Sequence, residues 1–575
     1  MSRIEVDDNA SMDKLYELVA DQVPEAKECS FVLTSDPQGT TAVPFGPTTL
    51  RQLNCRNGEM IFLSSTIAAS KSKEYSGKDA RMLDVDRYLE GQSGRITRKR
   101  DPKYCKHGEG GMCSHCQPLE PYDENYAEQK GIKHLSFQAY LRKLGKKSTL
   151  EEPNYKVRLD CARHVPYPKG ICSQCQPSAI TLSRQPFRMT DHVEFETPAL
   201  IETFLGGWRR TGYQCFGWLY GRYEPYMEVP LGVKAVVSAI YEPKQDGSVD
   251  GFILPDDEEN MAFVDRAAKL LGLQKVGMIY TDLRDDGSGQ GKVKCRRGAE
   301  TFFLSSAEIL FMAEQQKAHP NPCYHSKTGE FGSKFVTVVL SGDEAHDVGV
   351  FAYQVSLQAT ALVEADLISA TTDAALMMVK PSSPMHYVPD VLYSMNQGAY
   401  GAQVLTMAKP TFPVEYLLVS LSHGFPVQSR SLFASSNYVS LNKSPTMQTM
   451  LNFILPVPKS PDGILRCLSN FNLFVHMYTC GLFTDEDLQL LAQAIICNDQ
   501  DKAVMFVNSP SFGTLLALSS SSSLSCISAT TSMNTRPISL SDGKGWTCPH
   551  CTFINENGSS DGTCEVCSLP REWNQ

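Results

Sequence analysis

The sequence predicts an α+β multidomain chain in which small metal-held modules flank one large central domain. Three observations lead there. The chain has 575 residues, 42% hydrophobic and 21% charged, which is enough apolar material for several separate cores. Ten of its 19 cysteines fall in three tight clusters built on CxxC pairs, and thiols grouped this way are metal ligands more often than bridges in a chain with no secretion signal. A serine run at 519–523 opens a Ser/Thr/Gly/Pro tract that sets residues 544–575 apart on a flexible tether.

Charge and patterning exclude several classes. A net charge of −10 argues against nucleic acid as a partner, because phosphate binding needs a basic surface. No apolar run approaches the roughly 18 residues of a membrane span, and the first residues lack a signal-peptide core, so no membrane insertion is expected. The expected residence is cytoplasm and nucleus.

Residues 1–66 read as a small α/β module. A strand at 2–5 precedes a helix carrying Leu15, Leu18 and Val19 on one face; Phe31-Val32-Leu33-Thr34 and Met60-Ile61-Phe62-Leu63 are strand-like. This order resembles a ubiquitin-like (UBX-like, β-grasp) fold from which the first strand is missing. Residues 67–100 read as a linker with a short helix at 82–89 and a basic run, Arg98-Lys99-Arg100, expected to be a solvated face. From 188 to about 500 there is no repeat. Strands at 335–340 and 416–421 mix with amphipathic helices at 199–208 and 485–496.

The cysteine clusters carry the chemistry. In residues 101–187, Cys105, His107, Cys113 and Cys116 form one set, and Cys161, His164, Cys172 and Cys175 form a second. Both share a frame: Cys, a nearby His, Gly-Met-Cys or Gly-Ile-Cys, the CxxC, then Gln-Pro, as a duplicated knuckle would. His115 competes with His107, but from inside the CxxC its reach is poor. Four protein ligands leave no open position, so both sites read as structural zinc. At the C-terminus, Cys548, Cys551, Cys564 and Cys567 complete a third, all-cysteine zinc site in 544–575. So short a finger needs its metal, worth on the order of 10–16 kcal/mol. Cofactors are thus three structural zinc ions. The other nine cysteines read as core or surface thiols.

Trp546 before the first ligand and Asn555 after the second make this finger resemble the RanBP-type (NZF) class, which contains RNA binders and ubiquitin binders. The ubiquitin binders of that class carry a Thr-Phe pair after the second ligand and an apolar residue before the fourth; here these are Thr552, Phe553 and Val566. Two Lys/Arg against four Asp/Glu over 544–575 disfavour RNA.

Between 101 and 340 the chain resembles the nuclear protein localization protein 4 family. The segments that carry the resemblance include Ser136-Phe137-Gln138-Ala139-Tyr140, Gly170-Ile171-Cys172-Ser173-Gln174-Cys175-Gln176-Pro177, Phe216-Gly217-Trp218-Leu219-Tyr220-Gly221-Arg222-Tyr223 and Phe331-Gly332-Ser333-Lys334-Phe335. The resemblance implies a catalytically inactive MPN-type α/β domain at 188–400 with a C-terminal extension at 401–518, a flexible linker at 519–543, and knuckles that dock on an unfoldase ring. It implies an adaptor that binds ubiquitin and polyubiquitin chains and delivers their carriers to the AAA+ unfoldase valosin-containing protein. The partner in that work is the ubiquitin fusion degradation protein, and the pathway includes ER-associated degradation with recruitment to the ER surface.

No catalytic residue is expected. An active JAMM-type hydrolase holds zinc with His-x-His-Pro and the acid of a Ser-x-x-Asp. The nearest match, Lys317-Ala318-His319-Pro320, has a lysine in place of the first histidine, and Ser333 is followed at that spacing by Val336. A deubiquitinase and an RNA-binding finger protein are the alternatives to the adaptor.

Overall fold

Seven strands of the computed structural model close into a barrel: β1 His192–Phe195, β2 Phe216–Tyr226, β3 Gly232–Tyr241, β4 Gln274–Asp282, β5 Val336–Gly342, β6 Val348–Val355 and β7 Leu418–Gly424. The circuit runs β4-β5-β6-β7-β1-β3-β2 and returns to β4, so none of the seven is left as an edge. The structure describes residues 82–518 apart from 109–110, 146–149, 397–402, 429–430, 435–437, 439–446 and 457–459. It also describes 14, 18–19, 31–34, 62–65, 546–547 and 554–555.

Three barrel pairs are parallel, β4·β5, β7·β1 and β1·β3. Parallel neighbours need long crossovers, and helices supply them. Helix Pro198–Thr211 opens with proline in its first turn and ends at Gly212 with φ +69°, the left-handed C-cap that glycine favours. Helix Ser306–Ala318 lies between β4 and β5. With both faces covered, the strands read as apolar runs rather than alternations, and all seven residues of β5 are buried. At a bulge in β2, a Cβ on Gly221 would stand 1.8 Å from the Val236 carbonyl oxygen, so only glycine fits.

Val193, Phe204, Leu219, Ile279 and Val338 fill one core; Phe216, Met278, Ile309, Met312 and Leu362 fill another. A third joins helix Glu258–Leu270 to the C-terminal helices through Val264, Leu473, Phe474, Leu491 and Phe506. The division expected at 400 therefore does not fall there, because β7, well past that point, is a barrel strand between β6 and β1.

The chain separates into two units, Met1–Arg81 and Met82–Gln575. In the first, Phe31–Thr34 pairs antiparallel with Phe62–Ser65, two residues later than the strand expected at 60–63. The linker expected over 67–100 is corrected from Met82 onward. Helix Asp84–Glu90 buries Val85 and Leu89 against Leu231 and Val233, and Asp86 meets the buried Lys334 ammonium at 2.5 Å. Gln138 donates to the other Asp86 oxygen (3.2 Å). Its neighbours in Ser136-Phe137-Gln138-Ala139-Tyr140 share the task. Ser136 caps helix Phe137–Leu144 and donates to the Pro230 carbonyl (2.7 Å); Phe137 stacks on Phe331, and Tyr140 on Phe187. Among the described residues no helix is long and apolar enough to cross a membrane.

Two outcomes follow from these packed charges. Asp86→Ala strands a buried ammonium and is expected to cost about 3–5 kcal/mol, whereas Asp86→Leu with Lys334→Met costs far less. Chemical unfolding of the zinc-loaded chain separates them, and equal losses would contradict the pairing. Asp191 is fully buried, accepts from the Val233 amide (2.9 Å), and has its second oxygen unpartnered. Burial pushes its carboxyl up to about 7. The folded state then keeps a proton that the unfolded state releases near pH 4, so this group's contribution to stability falls as pH rises from about 4 to 7. Asp191→Asn should flatten that decline in unfolding midpoints measured across this range.

Candidate metal centres

Each knuckle is a turn whose backbone aims small donors at one point. The donor atoms of Cys105, His107, Cys113 and Cys116 all lie within 4.8 Å of one another, as do those of Cys161, His164, Cys172 and Cys175. In the first set Cys113 Sγ is 3.7 Å from Cys105 Sγ and 3.8 Å from Cys116 Sγ. In the second, Cys172 Sγ is 3.7 Å from Cys161 Sγ and 3.8 Å from Cys175 Sγ. A tetrahedral zinc with Zn–S bonds of about 2.3 Å has S–S edges of about 3.8 Å, so these donor sets fit that ion.

The histidines are oriented for the same end. Nδ1 of His107 lies 3.1 Å from the Gly108 carbonyl and Nδ1 of His164 lies 2.7 Å from that of Val165. At His164 a proton held on Nδ1 leaves Nε2 to face Cys175 Sγ at 3.3 Å; the His107 Nε2 faces Cys116 Sγ at 3.2 Å, and its Nδ1 also lies 2.9 Å from the Arg100 guanidinium. Without an ion, the Val165 carbonyl, and after it the neighbouring sulfurs, push His164 up to about 9, so its Nε2 gives up a proton when a metal binds. Backbone N–H groups, that of His115 for Cys113 and that of Gln174 for Cys172, pull these thiols down to about 6. Cys113 and Cys172 are thus poised as thiolates at neutral pH. His115 takes no part in the cluster; its ring stacks on Tyr104 with centroids 5.0 Å apart.

The shared glycine of the two frames has a steric cause. A Cβ on Gly170 would lie 2.7 Å from His164 Nδ1, and one on Gly111 would lie 3.1 Å from the His107 ring. The basic run at 98–100 corrects the solvated-face expectation. Arg98 donates to the carbonyls of Ser114 and Gln117, and Arg100 to those of His107 and Gly108, so both arginines clasp the first knuckle. Their position shortly before the first ligand was the available signal.

The remaining site residues divide differently. Cys548, Cys551, Thr552, Phe553, Cys564, Val566 and Cys567 lie outside the described residues; of the finger, Trp546–Thr547 pairs antiparallel with Ile554–Asn555. Lys317, His319 and Ser333 do not form a ligand set. Lys317 pairs with Glu364 (2.9 Å), the His319 ring stacks on Phe335, and the Ser333 hydroxyl donates to the His319 carbonyl.

A barrel carrying two closed Cys3His centres defines a protein with structural metal knuckles. The comparisons then specify the family. The model of the NPL4 family matches residues 215–520, and that of the family's zinc binding region matches 80–212. Nuclear protein localization protein 4 of Meyerozyma guilliermondii is 38% identical over 537 residues, 85% of this chain and 94% of that protein. The protein of the same name from Saccharomyces cerevisiae is 37% identical over 552 residues, 88% and 95% of the two chains. That of Vanderwaltozyma polyspora is 42% identical over 462 residues, covering 76% and 81%. The chain belongs to the nuclear protein localization protein 4 family.

Adding a methyl at position 170 displaces a ligating ring that is fixed on two sides. Gly170→Ala is therefore expected to weaken zinc binding at the second knuckle about tenfold or more, and Gly111→Ala to weaken the first by less. Competition with a chromophoric chelator measures both; an unchanged affinity in Gly170→Ala would refute the steric account.

Proposed function

We propose that this chain is a non-enzymatic adaptor that binds polyubiquitinated proteins and delivers them to the AAA+ unfoldase valosin-containing protein. In this reading it works in cytoplasm and nucleus as a heterodimer with the ubiquitin fusion degradation protein, and it serves proteasomal and ER-associated degradation. The observation that carries the reading is the form of the two knuckles. Each has its four protein ligands drawn together, so its metal has no vacant position for a substrate, and each exposes an apolar residue just before its third ligand, Met112 at 74% and Ile171 at 38%. Rigid tips with exposed apolar side chains suit docking on another protein.

The terminal finger supplies the ubiquitin contact in this reading. Thr552 and Phe553 directly precede its second strand, Val566 precedes the fourth ligand, and Cys548, Cys551, Cys564 and Cys567 hold a third zinc. The 519–543 tether lets a weak finger act together with a second ubiquitin contact on an MPN-type central domain, raising apparent affinity for a chain by roughly 10²–10⁴. The ubiquitin-like module at 1–66 provides a further contact with the unfoldase. A deubiquitinase is disfavoured because Lys317, His319 and Ser333 point to different partners.

The test is a pull-down of ubiquitin chains by the zinc-loaded protein, with capture and chain length read on one gel. Intact captured chains, with at least a tenfold loss in Phe553→Ala, are the expected result. Met112→Asp with Ile171→Asp should leave chain capture unchanged and abolish co-purification with the unfoldase. Shortened chains would overturn the adaptor reading.

A further inference from the structure

At the C-terminal end of β4 a second set of anionic and phenolic oxygens converges on one point, and an arginine occupies it. The Arg297 side chain is 7% exposed. Its Nε lies 2.8 Å from Asp282 Oδ2, and its Nη2 bridges that oxygen (2.8 Å) and Glu308 Oε1 (2.6 Å). Its Nη1 reaches Glu308 Oε2 (3.0 Å) and the Phe303 carbonyl (2.9 Å), so each of the three guanidinium nitrogens has an acceptor. Tyr280 donates to Glu308 Oε1 (2.8 Å), and the Ser305 amide and hydroxyl donate to Oε2 (2.7 and 2.9 Å). Arg296, partly exposed, meets the other Asp282 oxygen at 3.1 Å.

The spacing of these groups is informative. Tyr280-x-Asp282 has the interval of the His-x-His pair discussed above, and Ser305-x-x-Glu308 has the interval of the Ser-x-x-Asp. Unlike Lys317 and His319, these residues meet in space, one pair from a strand end and the other from a helix start. Two half-buried carboxylates side by side need a cation between them. Zinc at this point would collide with the guanidinium, and a phenol and two carboxylates are a poor exchange for two imidazoles.

We propose that Arg297 is the resident cation of a divalent-metal position, a side chain standing where an ion would bind, which seals the centre against both metal and water. A guanidinium keeps its charge at any physiological pH and offers no vacant coordination position, so it cannot activate a water molecule. The centre becomes a fixed joint between β4, the 283–305 connection and the helix Ser306–Ala318. This inference does not depend on the adaptor reading.

The test uses the zinc-loaded full chain with Arg297→Lys, Arg297→Gln and Arg297→Ala. If the position requires a cation, Arg297→Lys melts several degrees above Arg297→Gln. Millimolar Mn²⁺ or guanidinium then raises the melting temperature of Arg297→Ala while leaving the parent unchanged, and adding Asp282→Asn removes that rescue. Equal melting of the Lys and Gln variants would overturn the proposal. So would a folded Arg297→Ala protein indifferent to both cations. Should Arg297→Ala fail to fold, the Lys and Gln comparison decides alone.

Discussion

The Lys334 ammonium lies 2% exposed beside the barrel and must be neutralised where it is; the carboxylate that does so, Asp86, comes from 248 positions earlier in the chain. The amide oxygen of Asn321 also accepts from this ammonium, and Gln138 holds the far side of the carboxylate. One ion pair therefore fixes three segments at once: helix Asp84–Glu90, helix Phe137–Leu144 and the entry to β5. Buried pairs of this kind add little net stability compared with apolar residues of the same volume, since desolvation offsets most of the attraction. Their effect is on alternatives. Any slip of the helix leaves one charge unpaired in an apolar setting, so the pair selects one docking of the metal-held region among many that the aromatic cluster of Phe137, Phe187 and Phe331 would tolerate.

That selection matters because the knuckles cannot hold themselves in place. Their ligands are small donors on surface turns with little apolar material around them, and within each turn the metal does the work of a core. Their orientation is inherited from the chain on either side. Arg98 and Arg100 tie the first knuckle to the strand-like segment at Ile96, which bridges to Leu119. The second is tied through the Arg158 amide, which donates to the Cys175 carbonyl (2.8 Å). Exposed Met112 and Ile171 are thereby presented in a defined direction relative to the barrel.

How much of this was legible in the sequence depended on the range of the interaction. Ligand sets closely spaced in the chain could be read from spacing alone, as could the helices Pro198–Thr211 and Asp485–Cys497, whose stripes and caps are local. Barrel closure was not legible, because β7 finds its place between β6 and β1 by register and not by sequence order. The run Arg98-Lys99-Arg100 looked solvated because its acceptors are backbone carbonyls, which leave no trace in residue types. Tyr280, Asp282 and Glu308 were passed over for a related reason. A search for histidines finds Lys317-Ala318-His319-Pro320, whereas the groups that meet at Arg297 are a phenol and two carboxylates brought together from a strand end and a helix start.

The two kinds of cation in this chain follow one rule. Where the surrounding chain is too short to build a core, as in the knuckles, converging donors need an ion that also supplies folding energy, and sulfur with imidazole selects zinc. Within the barrel the apolar cores already hold the backbone, so the cation at Asp282 and Glu308 has only to balance charge. A side chain is sufficient for that and has two advantages over an ion. It cannot dissociate, and its planar fork satisfies both carboxylates together with the Phe303 carbonyl. With that centre sealed by Arg297, and with four protein ligands converging in each knuckle, neither kind of site leaves a coordination position for a reacting water. At these three sites the charge chemistry fixes geometry.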